Sequence, residues 1–109
     1  MISLYIYIMV YQFVRLEKLN GDKKKYMVVL KQNVKGVDKE KIIKFGQEGA
    51  DDFSITKNEE QKKLYIDRHQ KNENWTKTGI STAGFWSRWL LWNKKTINAS
   101  LTDIKKRFF

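Results

Sequence analysis

Three of the four tryptophans of this chain, Trp86, Trp89 and Trp92, fall in one run, GISTAGFWSRWLLWNKKT at residues 79–96. Read as a helix over residues 82–92, with 100° between successive side chains, the run places Trp92, Phe85, Trp89, Trp86 and Leu90 on one arc of roughly 160°. Arg88, Leu91 and Ser87 fall on the other side. An aromatic ring buries about 150–250 Å², and at about 25 cal/mol per Å² four such rings dominate the hydrophobic term of a small domain. A competing reading leaves the rings exposed as a stacking platform for nucleobases, between Arg88, Lys94 and Lys95. The arc is too wide for a strip laid along one nucleic-acid strand. The run is therefore expected to form the core, covered by Ile97, Leu101, Ile104 and whatever strands the rest of the chain supplies.

Those strands are expected in the N-terminal half. Residues 2–14, ISLYIYIMVYQFV, are nearly all apolar, yet shorter than the roughly 20 residues needed to span a bilayer. They have no basic flank before them and no small-residue cleavage site after, so neither a membrane anchor nor a signal peptide is expected. Their Tyr, Ile and Val content reads as a strand, with Tyr5, Tyr7, Met9, Tyr11 and Phe13 on one face and Leu4, Ile6, Ile8 and Val10 on the other. The alternative for this segment is a terminal extension. Residues 25–32 (KYMVVLKQ) and 41–45 (KIIKF) read as two more strands, joined as a hairpin through NVKGVDKE, a solvated turn carrying Gly36 and Asp38. Gly46 and Gly49 then bracket a tight excursion. With neither the Lys-Ser/Thr of a P-loop nor the third glycine of a dinucleotide fingerprint, it reads as a turn.

Helical signals take over from Thr56. Thr56 and Glu59 have the spacing of a capping box, predicting a helix over residues 57–70. Leu64, Tyr65 and either Arg68 or Ile66 would face inward, with Lys57, Lys62, Lys63 and Lys71 in solvent. Residues 72–79 form a polar loop in which Trp75 is expected to lie as a lid over the edge of the core. Thr96 caps a last helix whose Ile97, Leu101, Ile104 and Phe108 recur at i, i+4, i+7 and i+11. Lys105, Lys106 and Arg107 in its final turn complement the helix dipole. Strands first and helices after predict an α+β domain, a small antiparallel sheet from the N-terminal half covered by two or three helices from the C-terminal half. The partition expected is residues 1–22 as an apolar strand or extension, and residues 23–109 as a single basic domain with one modest core.

Chemistry is sparse. The chain has no cysteine, which removes disulfide frameworks, thiolate zinc sites and thiol nucleophiles. His69 is its one histidine, so no two-histidine zinc motif exists and any Ser-His-Asp triad would depend on a residue in a charged helix. Asp67, His69 and Glu73 suggest acid–base groups, but His69 and Glu73 at i, i+4 read equally as a helix-surface pair. The adjacent Asp51 and Asp52 read as turn residues rather than metal ligands. No enzyme activity, cofactor, metal or small-molecule substrate is expected. With 22 Lys+Arg against 12 Asp+Glu, the formal charge of +10 favours a polyanionic partner. Most of that charge is lysine, which suits phosphate contact and leaves bidentate base readout by Arg sparse. The residues expected to carry nucleic-acid binding are Lys23, Lys24, Lys25, Lys62, Lys63, Arg68, Lys105, Lys106 and Arg107.

Four segments carry a resemblance: KKKYMVVL at residues 23–30, KFG..G..DF at 44–53, YIDRH at 65–69 and, most specific of all, TAGFWSRWLLWNK at 82–94. From about Lys24 to Phe108 the chain resembles a family of small basic proteins of uncharacterised function encoded by large nucleocytoplasmic DNA viruses, phycodnaviruses and mimivirus relatives among them. It departs from the family's pattern at Thr56 and Asn58, where His and Asp are usual, and its first twenty or so residues lie outside the likeness. The resemblance implies a viral protein of the virion or of the infected cell's cytoplasm or nucleus, and it transfers no catalytic residue. Two functions are expected from the whole: a non-catalytic nucleic-acid-binding protein, or a minor structural protein that cements larger capsid subunits.

Overall fold

The structure, a computed structural model, describes residues 10–109. Three antiparallel strands form a meander in the order β1-β2-β3: β1 Gln12–Lys18, β2 Lys24–Val34 and β3 Val37–Gln47. Four helices follow: α1 Phe53–Thr56, α2 Glu59–His69, α3 Ala83–Trp86, which runs on as a π-helical turn Ser87–Leu91, and α4 Ile97–Phe108. The fold is α+β, sheet first and helices after, with one helix more than the sequence suggested. Most of the expected N-terminal strand, residues 2–9, lies outside the described residues. The described β1 is an edge strand paired along β2, so residues 12–18 belong to the sheet of the domain.

Sheet register explains which side chains face inward. Phe13 pairs with Leu30 and Leu16 with Val28, a register shift that makes Val14 a bulge. One extra residue reverses the alternation beyond it, so Leu16 rather than Arg15 packs against the core. At the other hairpin the charged connection is much shorter than expected, because β2 runs to Val34 and β3 resumes at Val37. Lys35 and Gly36 have φ of 53° and 82°. Two positive angles make the tight turn whose twist matches that of antiparallel strands. Asn33 secures it, accepting from the Gly36 amide at 3.1 Å and donating to Asp38 at 2.9 Å.

The capping box is displaced. Asp52 caps α1 by accepting from the Ser54 amide at 2.9 Å, and Lys57 turns the chain through the left-handed region at φ 54°. Asn58, not Thr56, then caps α2, accepting from the Gln61 amide at 3.0 Å. The Thr56 hydroxyl donates to the Gln61 side chain instead. Of the residues expected inside, Tyr65 is buried and Ile66 half-buried, whereas Leu64 and Arg68 are exposed. Thr96 caps α4 as its spacing implies, and Ile104 from that helix is fully buried.

The tryptophan run forms the centre of the core. Phe85, Trp86 and Leu90 have no exposed surface and pack with Val28, Leu30, Ile43 and Phe45 of the sheet. The indole N–H of Trp86 donates to the Ile80 carbonyl at 2.7 Å, which satisfies the one polar atom of a buried ring. Two expectations fail here, for Leu91 and for Trp89, a member of the arc expected to be buried. Leu91, assigned to the outer side, is buried because the Trp92 amide bonds to the Ser87 carbonyl, an i→i+5 turn that inserts a residue into the helix and rotates Leu91 inward. Trp89 is only partly buried, its N–H donating to the Trp75 carbonyl at 2.9 Å. Trp75 does cover the core edge, stacked on Tyr65 with centroids 6.3 Å apart. Among the described residues no helix is long and apolar enough to cross a membrane.

Candidate nucleic-acid interface

The nine cations expected to carry binding divide into groups with different duties. Lys23 and Lys24 are exposed where β2 begins, and Lys63 and Arg68 are exposed on α2. Lys25 is not a solvent cation. Its ammonium donates to Asp52 at 2.7 Å and to the Ala50 carbonyl, with the two charged side chains only 11% and 3% exposed. The pair ties β2 to the cap of α1. Lys62 is likewise withdrawn from the solvated face assigned to it: it donates to the Asn93 carbonyl at 2.7 Å and lies over the Phe53 ring at 4.8 Å. Burial, and then repulsion from Arg88, lower its pKa from the ordinary lysine value.

The triplet on α4 is exposed, but two of its members have partners. Lys105 sits over the Phe13 ring at 4.8 Å, and Arg107 bonds Asp103 at 2.9 and 3.0 Å while its guanidinium lies 5.0 Å from the Trp89 ring. Burial pushes the Asp103 carboxyl up, but hydrogen bonds from Asn93 and Arg107 outweigh it and leave the pKa below the ordinary value. Phe13, over which Lys105 lies, pairs with Leu30, six residues along β2 from Lys24. At a rise of about 3.3 Å per residue that separates the two basic groups by roughly 20 Å. The predicted cations therefore do not form one continuous strip.

Lys24, Lys25 and Arg68 do meet, on a groove of about 490 Å³ where the open end of β2 and β3 faces α2 and the π-helical turn. Its floor depends on Gly46. That residue has φ of 76°, and a Cβ there would come within 2.8 Å of a Leu91 methyl, so a glycine serves both the backbone and the close approach of helix to strand. Tyr65 and Trp92 add a stacked pair with centroids 4.6 Å apart and planes 6° from parallel, and the His69 ring lies 4.5 Å from Tyr65, tilted by 34°. Burial, with a further contribution from the Glu73 charge, pushes the Tyr65 phenol up to about 12. It is a neutral hydroxyl at any ordinary pH.

Glu73 and Gly84 face each other across the groove wall. A Cβ on Gly84 would stand 1.9 Å from the Glu73 Oε2, so the carboxylate lies directly against the helix backbone. The His69–Glu73 helix pair expected from spacing does not form, because α2 ends at His69. Asp67 is exposed, and Asp51 is an exposed lining residue. Among the described residues no cluster of three or more His, Cys, Asp or Glu is placed to hold a metal ion. Sequence reasoning missed Gly46, Tyr65, Glu73, Gly84 and Trp92 as parts of one site. Part of the signal was present in the likeness itself: Lys24 and Lys25, Phe45-Gly46, Tyr65 with Arg68 and His69, and Gly84 with Ser87 and Trp92 come from its four segments and line this groove, whereas Glu73 lies outside them.

The model of a family described as of unknown function (DUF5754) matches residues 14–69, just over half of the chain. The chain belongs to this family. The match begins at Val14 and so includes the last five of the seven residues of β1, which the likeness drawn from Lys24 onward leaves out. It stops at His69, the last residue of α2, so the tryptophan run falls outside the matched span. The family's description assigns no activity, and no residue role passes to the chain from it. No curated protein and no solved structure matches the chain.

Proposed function

We propose that the chain is a non-catalytic module of a large DNA virus that binds nucleic acid through phosphate contacts. The observation that carries the reading is a formal charge of +10 left largely in solvent. Lys23, Lys24, Lys63, Arg68 and Lys106 are exposed, while ion pairs among the described residues engage other cations, Arg15, Lys25, Lys44 and Arg107. A field of that kind draws polyanions without reading sequence. The binding set is accordingly smaller than the sequence suggested: Lys23, Lys24, Lys63, Arg68, Lys105 and Lys106, with Arg107 shared with Asp103, and without Lys25 and Lys62. The test is titration of a labelled duplex by fluorescence anisotropy over a range of salt. Log K should fall with log salt at a slope of about −0.9 per phosphate neutralised. Absence of binding at low salt, or affinity indifferent to salt, ends the reading.

A second reading, a minor capsid protein, is favoured by one observation. The outer edge of β1 has no strand beside it among the described residues, and Val10, Val14 and Phe109 remain 41%, 39% and 43% exposed. Such an edge can pair with a neighbour's sheet. Fractionation of virions separates the two readings, by whether the chain follows the genome core or the stripped shell.

A further inference from the structure

The groove differs in charge from the molecule around it. Lys25 is neutralised by Asp52, which leaves Lys24 and Arg68 facing Asp51 and Glu73, a balanced set within a chain of net +10. Carboxylates repel phosphate, so the groove is poorly suited to a phosphate track. They attract hydrogen-bond donors. Glu73 is half-buried against the backbone of Gly84, and among the described residues no hydrogen bond or ion pair engages its carboxylate. Both oxygens are acceptors on a residue that lines the groove, and the glycine beside them leaves room for the carboxylate.

The donor pattern that fits a carboxylate is two N–H groups side by side. Among the common bases guanine alone offers it, through N1–H and the N2 amino group. Adenine presents an acceptor at N1, cytosine a single amino donor beside an acceptor, and thymine one N–H between two carbonyls. An arginine side chain from a protein partner has the same fork, but the positive field of this chain repels it. The groove also has the size of a small-ligand site, and its lining includes the half-buried His69 ring beside the buried Tyr65–Trp92 stack, so His69 is the ring a base can contact. We propose that this groove seats one unstacked guanine, with Glu73 accepting from N1–H and N2–H, and with Lys24 and Arg68 at the rim holding the adjoining phosphates. The inference rests on the nucleic-acid reading in taking a nucleotide of a strand as the occupant.

The experiment compares an alternating guanine–thymine single strand with an all-thymine strand of equal length, so that the phosphate term is the same for both. The native chain should prefer the guanine strand by roughly 10-fold, the discrimination of one good bidentate contact. Glu73→Gln, which exchanges one acceptor for a donor and removes a negative charge, should abolish the preference without lowering affinity for all-thymine, with an unaltered circular dichroism spectrum as the control for folding. Equal affinity for the two strands in the native chain, or a preference that survives in Glu73→Gln, overturns the proposal. A second arm titrates guanosine and inosine monophosphates against the His69 ring resonances, inosine lacking the N2 amino group. Strands that bind with no guanine preference refute the groove and leave the phosphate reading standing. Guanosine monophosphate binding that depends on Glu73, with no binding of either strand, supports the groove and refutes the phosphate reading.

Discussion

Trp86→Ala is the substitution that most directly tests how this fold is held together. The ring has no exposed surface, packs against Phe13, Phe45 and Phe85, and donates its N–H to the Ile80 carbonyl. An area of about 150–250 Å² at about 25 cal/mol per Å² gives about 4–6 kcal/mol, and large-to-small changes at buried aromatics cost about 3–5 kcal/mol when measured. The stranded Ile80 carbonyl adds about 1 kcal/mol or more unless water reaches it. Against a total stability of roughly 5–15 kcal/mol, the variant should be largely unfolded or near its midpoint without denaturant. Trp89→Ala is the internal control. Its ring is only partly buried, so about half that cost, about 2–3 kcal/mol, is expected. Urea unfolding followed by far-ultraviolet circular dichroism measures both without relying on the fluorescence of the residues removed. A Trp86→Ala midpoint close to the parent's, or a greater loss for Trp89→Ala, would refute the placement of the core around Trp86. A Trp89→Ala chain that melts like the parent but loses nucleic-acid binding would restore the stacking platform.

Tyr65 gives a pH signature. Its phenol titrates at about 12 folded against 10 in the open chain, so its contribution is complete below pH 10 and is lost as pH rises through the folded value. The loss amounts to roughly 2–3 kcal/mol in all, so the alkaline decline in unfolding free energy should flatten in Tyr65→Phe. Gly46→Ala should cost about 2–4 kcal/mol in urea unfolding, since left-handed backbone strain of about 1–2 kcal/mol adds to the overlap with Leu91; a neutral result would show that helix and strand are not tightly opposed there. Lys25→Met leaves the Asp52 carboxylate buried without its cation and should destabilise by about 3 kcal/mol, whereas Lys63→Ala should change melting very little.

What the sequence made legible and what it hid have separate physical causes. The sheet was readable from the β-branched and aromatic content of KYMVVL and KIIKF, and α4 from the i, i+4, i+7 recurrence from Ile97 to Phe108. The start of α2 was displaced by two residues because Thr56 and Asn58 are both competent caps, and only the left-handed Lys57 between them decides which one serves. Leu91 was misplaced because a fixed 100° step cannot anticipate a π-turn, here one closed by the Trp92 amide on the Ser87 carbonyl. Lys25 and Lys62 look like any other lysine in the sequence, and what makes them structural is an acceptor 27 or 31 residues away. The groove was hidden for the same reason: Lys24, Arg68, Glu73 and Gly84 meet only after the sheet and helices have packed.

The matched span of residues 14–69 holds the whole sheet, except the first residues of β1, and α2, but little of what covers them. Val28, Leu30, Ile43 and Phe45 lie inside it, while Phe85, Trp86, Leu90, Leu91 and Ile104, the other half of their packing, lie beyond. A fragment cut at His69 would present a sheet with one greasy side bare to water, too few strands to close on themselves, and an edge ready to recruit another copy. The stretch that is recognisable as a family is thus not a unit that can fold unaided. The smallest piece able to stand alone has to reach α4, and any comparison of relatives that stops at His69 sees one wall of the groove without the layer that gives it shape.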